Sequence, residues 1–195
     1  MIIGIDPSLT STGIVVLDRL GNLIDHKAIQ FRDKLNNKVY FNLERFNYTL
    51  TNIDIVLHNY AEKGVIAIEG FAYGAKQKTR SLIEFGALGW MIRKMWYDKY
   101  RDEYKLIIIQ PTQLKQFIGE KGNCKKERMI LKVWQKYNIE FKTNDETDAY
   151  GLAQMGLAYY NITNKIRSLE SYKTYEQKAL NKVLKGEENG EKKED

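Results

Sequence analysis

The sequence predicts an α/β domain built on a mixed sheet flanked by helices. Three observations carry that reading. Five short apolar runs, MIIGID, TGIVVLD, NLIDHKAIQF, GVIAIEG and KLIIIQ, have the length of strands and are bounded by turn residues. The first three follow one another with only short turns between them, as in an antiparallel meander. The last two are separated by a long apolar segment, as in a strand–helix–strand unit, so the five together make a mixed sheet.

The elements can be justified in order. MIIGID delivers Asp6 into a small-residue turn, and TGIVVLD and NLIDHKAIQF, joined through Arg19–Gly21, read as a hairpin. After the polar stretch DKLNNK, apolar residues recur at Leu43, Phe46, Leu50, Ile53, Leu57 and Tyr60, alternately three and four apart, which predicts an amphipathic helix stopped by Gly64. GVIAIEG is a strand ending at Glu69. From Arg80 to Tyr97 a helix carries Leu82, Ile83, Phe85, Leu88, Trp90, Met91, Ile92, Met95 and Trp96, more than one face can hold. A small domain has little room to cover a helix twice, so one face is expected on the sheet and the other on a second subunit, with Leu82, Phe85, Trp90 and Met91 at that contact.

KLIIIQ is a strand ended by Pro111, PTQLKQFIG starts a short helix, and Cys124 to Tyr137 reads as another. A helix from Asp145 to about Tyr160 sets Leu152, Met155, Gly156 and Tyr159 on one side, with Thr143 or Asn144 as its cap. NKIRSLESYKTYEQKALNKVLK follows as a polar helix, and no internal repeat is visible.

With 195 residues, 43% of them hydrophobic, the chain suits one domain with a real core. Its net charge is +6, a sign that favours a polyanionic partner. The last ten residues hold five acidic and two basic side chains, a net −3, so the rest of the chain carries +9. That tail, residues 186–195, has nothing apolar to bury and is expected to be disordered. Cys124 stands alone, which excludes an internal disulfide framework and permits a reducing, cytoplasmic setting. His26 and His58 lie far apart, which argues against structural zinc. No signal peptide and no membrane partner are expected.

The acids carry the chemistry. Asp6 ends the first strand, Glu69 ends the fourth, and Asp145 and Asp148 share one face of the first turn of a helix in NDETDAYG. Each alone has an ordinary reading: a turn aspartate before Pro7, a buried ion pair, two acids complementing a helix dipole. If the strand ends meet the helix start, four like charges converge and require cations. Hard divalent ions such as Mg²⁺ or Mn²⁺ take oxygen ligands of this kind, and paired ions on carboxylates cleave phosphodiesters.

MIIGIDPSLTSTGIVVLD, AIEGFAYG, IIIQPTQLKQFIG, GNCKKERM and DETDAYG, in that order, resemble the RuvC family of Holliday junction resolvases over about residues 1–160. The resemblance implies an RNase H-like fold (that of retroviral integrases), a nuclease domain over 1–162, a C-terminal helical extension over 163–185, and a homodimer that cuts four-way DNA junctions by paired nicks. It implies two Mg²⁺ ions, replaceable by Mn²⁺, bridged by Asp6 with Glu69 and Asp148 completing the shells, and Asp145 either binding metal as well or tuning the site. It places Lys115 and Lys126 near the cut, Lys126 to stabilise the transition state or orient water. The rich Lys and Tyr content and the charged extension point to a phage-type relative acting inside a bacterial host cell.

One position departs from the cellular members. They carry an aromatic three residues after the strand-four glutamate, where this chain has Ala72; Phe71 and Tyr73 flank it and offer stacking faces instead. The neighbouring GAKQKTRS supplies Lys76, Lys78 and Arg80, and GNCKKER supplies Lys125, for DNA phosphates. Three other readings stay open at this point. A RuvC-like nuclease for RNA or flap substrates would use the same acids. GIDPSLTSTG also resembles the first phosphate loop of actin-like ATPases, which need a second domain. A protein that shapes branched DNA without cutting it is the third.

Overall fold

The computed structural model describes residues 1–31, 41–70, 79–119 and 126–191. The strands are β1 (Ile2–Asp6), β2 (Thr12–Leu17), β3 (Leu23–Ile29), β4 (Gly64–Glu69) and β5 (Tyr104–Ile109). The helices are α1 (Phe41–Asn59), α2 (Thr79–Lys99), α3 (Pro111–Ile118), α4 (Lys126–Tyr137), α5 (Asn144–Thr163) and α6 (Thr174–Glu191), with a 3-10 turn at Leu169–Ser171 before α6. The five strands form one mixed sheet in the order β3-β2-β1-β4-β5. β1, β2 and β3 run antiparallel as the meander required, while β4 lies parallel to both β1 and β5.

Strand alternation sorts the core into two layers. Ile3, Ile5, Ile14, Val16, Ile66 and Ile68 face α1 and α2. Ile2, Val15, Leu17, Val65 and Ala67 face α5 and the helices around it. The β2–β3 hairpin turns where the sequence places it: Asp18 accepts the backbone N–H groups of Leu20 and Asn22, at 2.8 and 2.9 Å, and Gly21 takes φ of 92°, a left-handed conformation that glycine adopts without strain. α3 starts on Pro111 with a capping box between Gln110 and Gln113 and stops at Gly119, φ 97°.

Several expectations need revision. α1 buries Phe46, Ile53 and Leu57, but Leu43 of the same periodic series is 58% exposed, and Tyr60 lies just past the helix end. α2 does have two apolar faces, yet Trp96 belongs to the inner one, its indole N–H donating to the Tyr104 carbonyl at 2.7 Å. The segment after α5 is not one polar helix. It turns back through residues 164–173, and α6 runs to Glu191, into the stretch expected to be a disordered tail. Ala179, Leu180 and Val183 of α6 are buried in the α5-side core. Full burial of Leu180 or Val183 contributes about 1.5–3 kcal/mol each.

α5 is the element that positions the site, and small residues let it lie on the sheet. A Cβ on Gly4 of β1 would stand 2.0 Å from the Ala149 carbonyl oxygen, and one on Gly13 of β2 would stand 2.0 Å from that of Asp145. Gly156 rests in the same way on Ile2 and Ala67. The helix backbone thus crosses β1 and β2 at a separation that side chains on these two strand positions would forbid.

Candidate active site

The four sequence-predicted acids come together. Asp6 and Glu69 end adjacent parallel strands, with Ile5 paired to Ile68 just before them. Alternation turns both side chains to the α5 side of the sheet, as it does Gly4 and Ala67. The first turn of α5, seated on Gly13, brings Asp145 and Asp148 over the same strand ends. All four carboxylates line one cavity of about 360 Å³, together with Lys115 of α3 and Phe85 of α2.

The local sequence explains why α5 begins there. Thr143 caps it, accepting from the Glu146 backbone N–H at 3.2 Å, while its hydroxyl donates to the Glu146 carboxylate at 2.8 Å. Glu146 is itself buried and meets His26 Nδ1 of β3 at 2.8 Å, and the His26 ring stands edge-on to Phe141. This clasp ties the start of α5 to the sheet edge beside Asp145. The T-x-x-E spacing of Thr143 and Glu146 announces the cap in the sequence, whereas the contact of Glu146 with His26, 120 residues away, has no local signal.

Asp6 is the strained member. It is 6% exposed, and burial pushes its carboxyl well above the ordinary range, with the charge of Glu69 next in size, then that of Asp148, a hydrogen bond shared with Glu69, and the charge of Asp145. A carboxylate buried among carboxylates is tolerated where a cation offsets it. The donor set is all oxygen and therefore suits a hard ion such as Mg²⁺ or Mn²⁺. Among the described residues no three acidic, histidine or cysteine side chains are already gathered as a ligand set; the acids stand round the cavity.

The β1–β2 loop does not resemble an open phosphate cradle. Thr12 Oγ1 donates to the Ser8 carbonyl at 3.2 Å and accepts the Ser8 N–H at 3.3 Å, and the Ser8 hydroxyl accepts the Thr10 N–H at 3.3 Å. The loop closes on its own hydroxyls.

The other predicted residues divide. Lys115 lines the cavity. Phe85, expected at a subunit contact, lines it too. Of the remaining contact residues, Trp90 is 65% exposed, Leu82 is half-buried, and Met91 packs against the α1–α2 core. Phe71, Tyr73, Lys76, Lys78 and Lys125 lie outside the described residues. Arg80 and Lys126 are placed by their backbone alone, Arg80 in the first turn of α2 and Lys126 at the start of α4. Among the described residues, no helix is long and apolar enough to cross a membrane.

No protein-family model matches the sequence, and no curated protein does. Solved structures do share its architecture. RuvC of T. thermophilus in complex with Holliday junction substrate superposes with a TM-score of 0.62 at 17% identity, over 84% of this chain and 94% of that one. A second Thermus thermophilus RuvC structure gives 0.57 at 18% identity, over 84% and 95%. At this identity the likeness shows the fold. The mixed five-stranded α/β sheet flanked by helices is RuvC-like and of the RNase H-like type that the motifs led one to expect.

Proposed function

We propose that this protein is a structure-selective DNA endonuclease that depends on divalent metal ions and resolves four-way junctions, and other branched DNA, by paired nicks. The observation that carries the proposal is the convergence of Asp6, Glu69, Asp145 and Asp148 on one cavity of a RuvC-like fold. These four residues would hold Mg²⁺ or Mn²⁺, with Asp6 central because it is the most buried. Bound there, ions of this kind would activate water and stabilise the leaving oxygen, and the family resemblance implies 5′-phosphate and 3′-hydroxyl ends. The chain's own residues do the rest. Glu69 and the first turn of α5 hold the acids in register, Lys115 brings positive charge to the scissile phosphate, and Phe85 walls the cavity beside them.

A two-fold dimer on a two-fold junction would cut symmetrically. The outer face of α2 supports this arrangement. Ile83, Trp90 and Tyr97 recur every seven residues in one stripe and are 67%, 65% and 54% exposed, with Arg93 stacked against Trp90 at 5.1 Å. Changing Ile83 and Trp90 together to glutamate is expected to leave a folded monomer by analytical ultracentrifugation and to uncouple the two nicks. A dimer that survives the double change would place the interface elsewhere.

The decisive assay offers the purified protein four-way, Y-shaped and linear DNA with Mg²⁺ and with EDTA. Cleavage of branched substrates in Mg²⁺ and none in EDTA is the expected result. Failure to cut any branched DNA in either Mg²⁺ or Mn²⁺ would sink the proposal.

A further inference from the structure

We propose that the cleft between α3 and α4, closed at its far end by the start of α6, is a second phosphate site that holds the sugar–phosphate backbone of a DNA arm leaving the catalytic cavity. The inference rests on the nuclease reading above and assigns a surface outside the four acids.

Helical spacing sets the cleft next to the active site, along the same two helices. On α4, Met129, Lys132 and Lys136 stand three and seven residues apart and share a face. On the facing side, Lys115 lies in the last turn of α3 and Gly119 closes that helix just beyond Ile118. Lys115 and Met129 line the catalytic cavity. One turn further along each helix, Gly119, Lys132 and Lys136 line a second cavity of about 330 Å³, whose other wall is Lys173 and Tyr175 at the start of α6. One to two turns are about 5–11 Å. A duplex strand, with one charge per about 3.4 Å of axis, covers that distance in a few nucleotides.

The charges in the second cavity have the right sign and the right availability. Three lysines line it and no carboxylate does. Lys136 is committed to the fold: it pairs with Glu176 at 2.6 Å, donates to the Phe117 carbonyl at 2.9 Å, and lies over the rings of Phe117 and Tyr137. Glu176 in turn accepts the Lys173 backbone N–H at 2.7 Å. This buried pair acts as a strut that holds the start of α6 across from α4. The ammonium groups of Lys132 and Lys173 make no hydrogen bond or ion pair among the described residues, so both are free to meet phosphate. Lys182, two turns along α6 from Tyr175, bonds to Gln116 of α3 at 3.0 Å and extends the positive edge. A ligand held this way would be read by charge and spacing rather than by base sequence.

The test uses the full-length protein with Lys132 and Lys173 both changed to glutamine, which keeps the side-chain stems and leaves the strut intact. Affinity for a four-way junction is measured across a range of salt concentrations in EDTA, with melting temperature as a check on folding. Cleavage at saturating DNA in Mg²⁺ is measured in parallel. The expected result is a salt dependence of log affinity shallower by roughly 1.8, two phosphate contacts at about 0.9 each. The cleavage rate at saturation should equal that of the wild type. A wild type that binds and cuts junctions, with a double variant that keeps the full salt dependence, would overturn this site and leave the nuclease reading standing. A wild type that binds no junction would overturn both.

Discussion

Asp6→Asn is expected to abolish cleavage while making the metal-free protein more stable. The rate should fall on the order of 10³-fold or more, the scale on which removal of an electrostatic group at a reacting centre is felt. Junction binding should survive, because on the proposed reading basic side chains outside the acid cluster hold the DNA. The stability gain has a definite pH dependence. Burial and the charges of Glu69, Asp148 and Asp145 hold the Asp6 carboxyl above its unfolded value. A group raised in this way stabilises the fold in acid, where it is protonated in both states, and loses that contribution as pH rises through the folded value. Asparagine never ionises, so the variant's advantage in EDTA should be small in acid and grow towards neutral pH, reaching about 0.5–2 kcal/mol. Thermal melts at several pH values, with EDTA and with Mg²⁺, check this. Mg²⁺ should raise the melting temperature of the wild type at neutral pH and do little for the variant. A variant that still cuts junctions at the normal rate would break the metal assignment.

Gly13→Ala should produce the second largest effect, although Gly13 carries no chemistry. The added methyl would stand 2.0 Å from the Asp145 carbonyl oxygen and 2.4 Å from its carbon, both main-chain atoms that cannot swing aside. The start of α5 must lift from β2, carrying Asp145 and Asp148 away from Asp6 and Glu69. Overpacking of this kind costs about 1–3 kcal/mol. A displacement of 1 Å at the reacting centre costs on the order of 10²-fold in rate. Melting temperature and single-turnover cleavage measure the two losses separately. Gly4→Ala serves as the comparison, since its methyl would strike Ala149 at the same 2.0 Å, one helical turn further from Asp145. It should cost similar stability with a smaller loss of rate. Equal rates for wild type and Gly13→Ala would show that the start of α5 is not held by this seat.

The strands, the α1 and α2 periodicities and the four acids were legible because each is a local pattern. A period of two or of three and four, a capping threonine, a carboxylate at the end of an apolar run all lie within a few neighbouring residues. Leu43 shows where such a pattern overreaches: it continues the apolar spacing of α1, yet it is 58% exposed. Trp96 shows another limit: the apolar run of α2 does not say which face a residue takes, and the Tyr104 carbonyl draws its indole inward. The tail shows a third case, in which polar residues continue a helix whose buried face, Ala179, Leu180 and Val183, is set by α3 and α5.

What the sequence by itself determined is the inventory: an α/β chain with a meander and a strand–helix–strand unit, and four acids placed at the ends of elements. What only the tertiary structure decided is their relation. The seat of Asp145 on Gly13, the clasp of Glu146 by His26 and the strut between Lys136 and Glu176 join residues separated by 132, 120 and 40 positions. No periodicity reports contacts of that range. They depend on how closely two backbones approach and which charges burial leaves paired, and those are fixed only when the helices lie down on the sheet.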